Sequence, residues 1–219
     1  MIIDTQIFED IISIEEQDIL LEFMELNYES WVFIPYVSLD ANDRPAFGQI
    51  KFPAYTFDII EKNTLTVEYE NILPILKKIE SNVCKNINLK FLQNYRYKLN
   101  CQPPIEAYTI DDLYKNIHYD RQNKHMVMIY YANDCDGDTI LFKNKRGYDA
   151  VSNNKTKKEA QNGDFTNIEL IHSISPKKGR VVIFDGVLLH SASWSNTKNR
   201  YAVNFNVILD DNTKKINLI

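Results

Sequence analysis

The spacing of apolar positions changes character partway along the chain. After Ser13, the residues Ile19, Leu20, Phe23, Met24 and Leu26 recur near the helical period. The Ser13-x-x-Glu16 pair ahead of them has the form of a capping box, which predicts a helix start there. A second helical stripe runs from about 67 to 87, with Ile72, Ile75, Leu76, Ile79 and Val83 on one face. Pro74 within it must either begin the helix or kink it, because proline lacks the N–H that an interior position needs. Residues 28–60, rich in aromatics and proline, read as irregular chain with short strands.

From Phe91 the texture becomes short, β-branched or aromatic runs bounded by Gly, Asp, Asn and Pro. FLQNYRYKL, KHMVMIYYA, DTILF, NIELIHSI, GRVVIF and NRYAVNFNVIL are six such segments with no helical pattern between them. That texture predicts an antiparallel barrel or jelly roll. The acidic segment 133–138 reads as a turn between two strands. It has the look of a calcium loop, but its glycine is misplaced and Lys145 stands where a bidentate Glu would be needed, which argues against calcium. Residues 144–167 are strongly charged and almost free of apolar side chains, so they read as a loose, flexible insertion, either a solvated connection or a lid. The expected organisation is one domain over 1–219, with 1–90 as mainly helical support and 91–210 as the β core.

Composition narrows the function classes. The chain has 219 residues, 44% of them apolar and 12% aromatic, enough for a sizeable core. A net charge of −5 leaves no basic bias for coating nucleic acid. The longest wholly apolar run covers only residues 126–132, far short of a bilayer span. The beginning, MIIDTQIFED, lacks the basic and apolar regions of a secretory signal. Three cysteines, Cys84, Cys101 and Cys135, cannot all pair and show no metal-binding spacing. The expectation is a reduced, cytoplasmic protein with neither nucleic-acid nor membrane partners, its oligomeric state left open.

Of the histidines His118, His125, His172 and His190, only His118 has a carboxylate two positions on. On a strand, i and i+2 share a face, so His118 and Asp120 can grip one ion. By itself the pair equally suits a hydrogen-bonded surface His–Asp. A second piece is a buried strand, 180–184, entering an Asp-Gly turn that is followed by His190. A ligand from that distant strand would complete two histidines and one carboxylate, the facial triad of non-haem Fe(II) oxygenases, although a lone His190 is more often an ordinary core or surface imidazole. A third piece is Arg200, ten residues later, opening the strand RYAVNFNVIL. Alternation puts Arg200, Ala202, Asn204 and Asn206 on one face and Tyr201, Val203, Phe205 and Val207 on the other. An arginine inside a barrel needs an anion, whereas one at the surface does not.

Taken together these pieces resemble the Fe(II)/2-oxoglutarate-dependent dioxygenases, in their prolyl 4-hydroxylase-like branch. The resemblance spans roughly 91–209. It rests on His118-x-Asp120, Ile129-Tyr-Tyr-Ala-Asn133, Gly137-Asp-Thr-Ile-Leu-Phe142, Pro176-x-x-Gly-Arg180, Phe184-Asp-Gly186, His190 and Arg200-Tyr-Ala-Val203, in that order and spacing. It implies a mainly β (α+β) fold, a double-stranded β-helix (jelly roll, cupin-like) with N-terminal packing helices. It further implies that His118, Asp120 and His190 bind Fe(II), and that Arg200 and Tyr130 hold the distal carboxylate of 2-oxoglutarate. Asn204 matches a polar position near the metal. The family's compact Tyr-x-x-Gly approach is replaced by the stretch 101–117 with Pro103-Pro104, leaving Tyr97 or Tyr108 to line the pocket. The implied activity couples oxidation of 2-oxoglutarate by O2 to hydroxylation of an unactivated C–H, with ascorbate a candidate reductant. A prolyl residue in a peptide or protein is the implied substrate. The same chemistry on a small molecule such as a free amino acid, or a non-catalytic metal-binding jelly-roll module, are the alternatives.

Overall fold

The Ser13 capping box forms as its residues dictate: the Glu16 backbone N–H donates to Ser13 Oγ at 3.3 Å, and the Ser13 N–H donates back to Glu16 Oε2 at 3.0 Å. It starts α1 (Ile14–Leu26). Helix α2 (Leu73–Ile87) begins one residue before Pro74, so the proline starts the helix and does not kink it. The computed structural model describes residues 5–26, 32–34, 54–58, 71–87, 91–104, 117–120 and 125–209.

Ten strands accompany the helices among these residues: β1 (Gln6–Phe8), β2 (Val32–Ile34), β3 (Ala54–Asp58), β4 (Phe91–Gln102), β5 (Met126–Tyr131), β6 (Thr139–Asn144), β7 (Ile168–Ile174), β8 (Val181–Asp185), β9 (Leu189–Ala192) and β10 (Arg200–Leu209). They make a seven-stranded sheet in the order β1-β8-β5-β10-β4-β3-β2 and a three-stranded sheet in the order β7-β6-β9. Every pairing is antiparallel. All six predicted strands are present. The N-terminal region is less purely helical than its periodicity suggests, since β1 pairs with β8 and β3 pairs with β4.

Period-2 alternation sorts side chains into two cores. On the outer face of the large sheet Met126, Met128, Tyr130, Val203, Phe205 and Val207 pack with Leu20 and Met24 of α1 and Leu76, Ile79 and Val83 of α2. The inner face carries Val127, Ile129, Tyr131, Val182, Phe184 and Ala202, which meet Leu141 and Ile174 of the small sheet. The functional residues project into this space between the sheets.

Residues 144–167, read as a loose insertion, instead contain a helix, α3 (Ala150–Gln161), N-capped by Asp149 whose side chain accepts the Ser152 N–H. Its buried positions are Asn153, Thr156, Lys157 and Ala160, spaced by three or four. A polar stripe at helical spacing buries by hydrogen bonding, and that is why hydropathy alone missed it. Ala160 joins Phe142, Leu189, Ile168, Ile140 and Ile117 in a third cluster on the outer face of the small sheet.

Candidate metal centre

His118 and His190 meet as a cross-strand pair. The His118 N–H donates to the His190 carbonyl at 2.9 Å, and the His190 N–H donates to the His118 carbonyl at 2.7 Å. This single bridge appends the His118 segment to β9, so both rings stand on one face with centroids 4.3 Å apart. Asp120, two residues on, follows them to that face: its Oδ1 lies 3.7 Å from His118 Nε2 and 3.5 Å from His190 Nε2. One ligand atom from each of the three lies within 4.8 Å of the others.

Local hydrogen bonds orient two of these three side chains. His190 Nδ1 faces the Leu188 carbonyl at 3.0 Å, and a proton on that nitrogen leaves the Nε2 lone pair directed inward. Asp120 Oδ2 accepts the Asn206 side-chain N–H at 2.7 Å, which orients Oδ1 towards the imidazoles. Burial by itself would raise the Asp120 carboxyl, but His190, His118 and Asn206 outweigh it and hold the group well below the usual carboxylate range. Two imidazole nitrogens and one carboxylate oxygen thus converge on one point between the sheets. Two imidazoles and one carboxylate suit a divalent transition metal such as Fe(II), so the residues fit the metal that the resemblance implies.

Arg200 is 4% exposed and faces the same interior. Its guanidinium donates to Gln102 Oε1 at 2.8 Å and to Thr139 Oγ1 at 2.7 Å, both neutral acceptors. Its Nε has no partner, and none of its contacts among the described residues is a carboxylate. A buried guanidinium with neutral partners and a free Nε–H can bind an anion. Thr139 lies two residues from Leu141, which pairs with His190. By strand rise, that puts the arginine's anchor about 7 Å along β6 from the residue paired with His190.

Several expected neighbours fall elsewhere. Tyr130 faces the helical layer and its hydroxyl has no hydrogen-bond partner; burial raises that group, and the charges of Asp18, Asp10 and Glu16 raise it further. The tyrosine beside Arg200 is Tyr131, whose ring centroid lies 5.3 Å from the guanidinium carbon and whose hydroxyl donates to Thr139 Oγ1 at 2.6 Å. Adjacent strand residues point to opposite faces, and the inward parity belongs to 131. Tyr97 likewise faces outward, donating to Glu80 Oε2 of α2 at 2.8 Å, so it does not line the pocket. Tyr108 lies outside the described residues. Asn204 accepts from Asn100 Nδ2 at 3.2 Å, whereas Asn206, on the same face, is the residue that touches a ligand. Gln102 and Thr139, the partners of Arg200, were missed; the register that pairs Arg200 with Gln102 exists only in the folded sheet.

No known protein-family profile matches the sequence, and neither does any curated protein. Solved structures do match. A prolyl hydroxylase from Trichoplax adhaerens, in complex with a hypoxia inducible factor oxygen degradation domain peptide fragment, is 16% identical with a TM-score of 0.57, over 93% of this chain and 83% of that one. A 2OG-Fe(II) oxygenase family oxidoreductase from Burkholderia pseudomallei is 11% identical with a TM-score of 0.59, covering 93% and 84% respectively. SnoK, a non-heme alpha-ketoglutarate-dependent carbocyclase from nogalamycin biosynthesis, is 11% identical with a TM-score of 0.59, over 94% and 79%. The chain therefore shares its fold with 2OG-Fe(II) oxygenases, prolyl hydroxylases among them.

Proposed function

We propose that this protein is an Fe(II)- and 2-oxoglutarate-dependent dioxygenase built on a double-stranded β-helix, and that it hydroxylates an unactivated C–H, best matched by a prolyl residue of a peptide or protein. The observation that carries the reading is the pairing of two complementary sites in one interior. A His–His–Asp cluster with metal-ligand geometry stands about one pleat from a buried arginine whose hydrogen-bond partners are neutral. A 2-oxo dicarboxylate has a chelating end for the first and a carboxylate for the second. In this reading His118, Asp120 and His190 hold iron, while Arg200 binds the distal carboxylate with Gln102 and Thr139 positioning its guanidinium. Bound iron with 2-oxoglutarate supplies the oxidising equivalents from O2, and the apolar lining of Val127, Ile129 and Phe184 keeps water from that chemistry.

An anaerobic titration tests this directly. Fe(II) followed by 2-oxoglutarate should produce a visible charge-transfer band that weakens at low co-substrate in Arg200→Ala, and His118→Ala should abolish succinate formation. Fe(II) bound without any such band would sink the co-substrate assignment and favour a non-catalytic metal module. The fold is as close to a carbocyclase as to a peptide-bound hydroxylase, so the substrate needs its own screen. Proline-containing peptides should stimulate succinate formation above free amino acids; the reverse order would replace the peptide with a small molecule.

A further inference from the structure

We infer that helix α3 is the positioning element of the metal cluster, its consecutive residues Asn153 and Asn154 each fastening one of the two segments that carry the ligands. The inference rests on the metal-site reading above and assigns a role to a segment that the proposed chemistry leaves unused.

Alternation around the ligands decides which face they are held from. His118, Asp120 and His190 point inward, so their chain neighbours Ile117, Tyr119 and Leu189 point outward, where they join the cluster that includes Ala160 of α3. On that side Tyr119, which lies between two ligands, donates its hydroxyl to Asn154 Oδ1 at 2.8 Å. Asn153, only 1% exposed, donates Nδ2 to the Val187 carbonyl at 2.8 Å. The next carbonyl along, that of Leu188, is the one facing His190 Nδ1. Asn153 is itself fixed, because its Oδ1 accepts from Asn144 Nδ2 at 3.0 Å. Asn144 is held in turn: its Oδ1 accepts the Arg146 N–H and the Thr156 hydroxyl, each at 3.0 Å.

The network runs from the end of β6 through α3 to both ligand-bearing segments, and its amide orientations are set by backbone groups of known polarity. The Val187 carbonyl can only accept and the Arg146 N–H can only donate, so neither Asn153 nor Asn144 can be turned over. The His118–His190 bridge joins the two segments at one point; α3 fixes both from behind, and outer partners of this kind tune metal affinity.

Cobalt(II), read by its visible ligand-field absorption in anaerobic titrations of the full chain, is the probe. Tyr119→Phe and Asn154→Ala should each weaken Co(II) binding by about tenfold or more and alter the band shape. Asn154→Asp, which retains an acceptor for the Tyr119 hydroxyl, should restore both, and the thermal midpoint of the metal-free protein should fall by no more than the few degrees that one hydrogen bond is worth in any of the three. Wild-type affinity and spectrum in Tyr119→Phe and Asn154→Ala would overturn the clamp while leaving the metal site standing. Failure of the wild-type chain to bind Co(II) through its histidines would overturn the underlying reading, and the clamp with it.

Discussion

Two neighbouring tyrosines show how much one position of parity decides. Tyr131 shares Thr139 with Arg200, so Tyr131→Phe should cost about 1 kcal/mol in denaturant unfolding, the usual worth of one hydrogen bond. Tyr130 buries an unsatisfied hydroxyl, so Tyr130→Phe should be neutral or stabilising by up to about 1 kcal/mol and leave 2-oxoglutarate affinity unchanged. If Tyr130→Phe weakens the co-substrate and Tyr131→Phe does not, the assignment of faces is wrong. Asp136 organises the turn that leads into Arg200, accepting from Ser195 Oγ, Thr197 Oγ1 and the Asn196 N–H. The Ser195 hydroxyl first, then the Asn196 amide and Thr197, lower its carboxyl from an ordinary 3.8 to about 2. Because the folded value is the lower one, its stabilisation is complete above pH 3.8 and is lost as pH falls through about 2. The stability gap between wild type and Asp136→Asn, followed by chemical unfolding across pH, should therefore be full at neutral pH and close towards pH 2. A gap that widens on acidification would refute the linkage.

At the level of elements, legibility followed the kind of burial. Helices α1 and α2 and the long strands bury apolar side chains with a clear period, and the chain announces them. β9 escaped because it has four residues, too few for a pattern, and His118 joins the small sheet through one bridge that only its partner defines. α3 escaped because three of its four buried side chains, Asn153, Thr156 and Lys157, are polar. The apolar and polar helices should thus fail differently. Leu76 is 0% exposed beneath the large sheet, on the face remote from the cluster, and Leu76→Ala should cost about 2–5 kcal/mol without changing metal affinity. Glycine is dictated at one turn that links these layers: Gly179 has φ +80, and a Cβ there would lie 2.6 Å from Gln17 Nε2 of α1.

For the whole molecule, the His–His–Asp cluster lies between two sheets, and a cation bound there would cross-link β9 and the His118 segment. Metal at a hundred times its dissociation constant adds about 2.7 kcal/mol to stability. In a chain of this size that is about 5–10 °C in thermal midpoint. Fe(II) or Co(II) should produce that shift in the wild type and none in His118→Ala, measured by calorimetry under anaerobic conditions. An equal shift in the variant would place the stabilising ion elsewhere. Among the described residues no helix is long and apolar enough to cross a membrane, in keeping with the short apolar runs of the chain.

Sequence by itself determined the two N-terminal helices, the six predicted strands, and the split of β10 into a polar and an apolar face, and it singled out the three residues that the fold brings together. Those properties are local: a period, a cap, a spacing of two. Tertiary structure alone decided which of Tyr130 and Tyr131 turns inward, that Asn206 and not Asn204 reaches Asp120, that Gln102 and Thr139 hold Arg200, and that a charged insertion folds into a helix behind the ligands. Each of these depends on register between segments far apart in the chain, and a shift of one residue in that register would exchange every inward side chain for its neighbour.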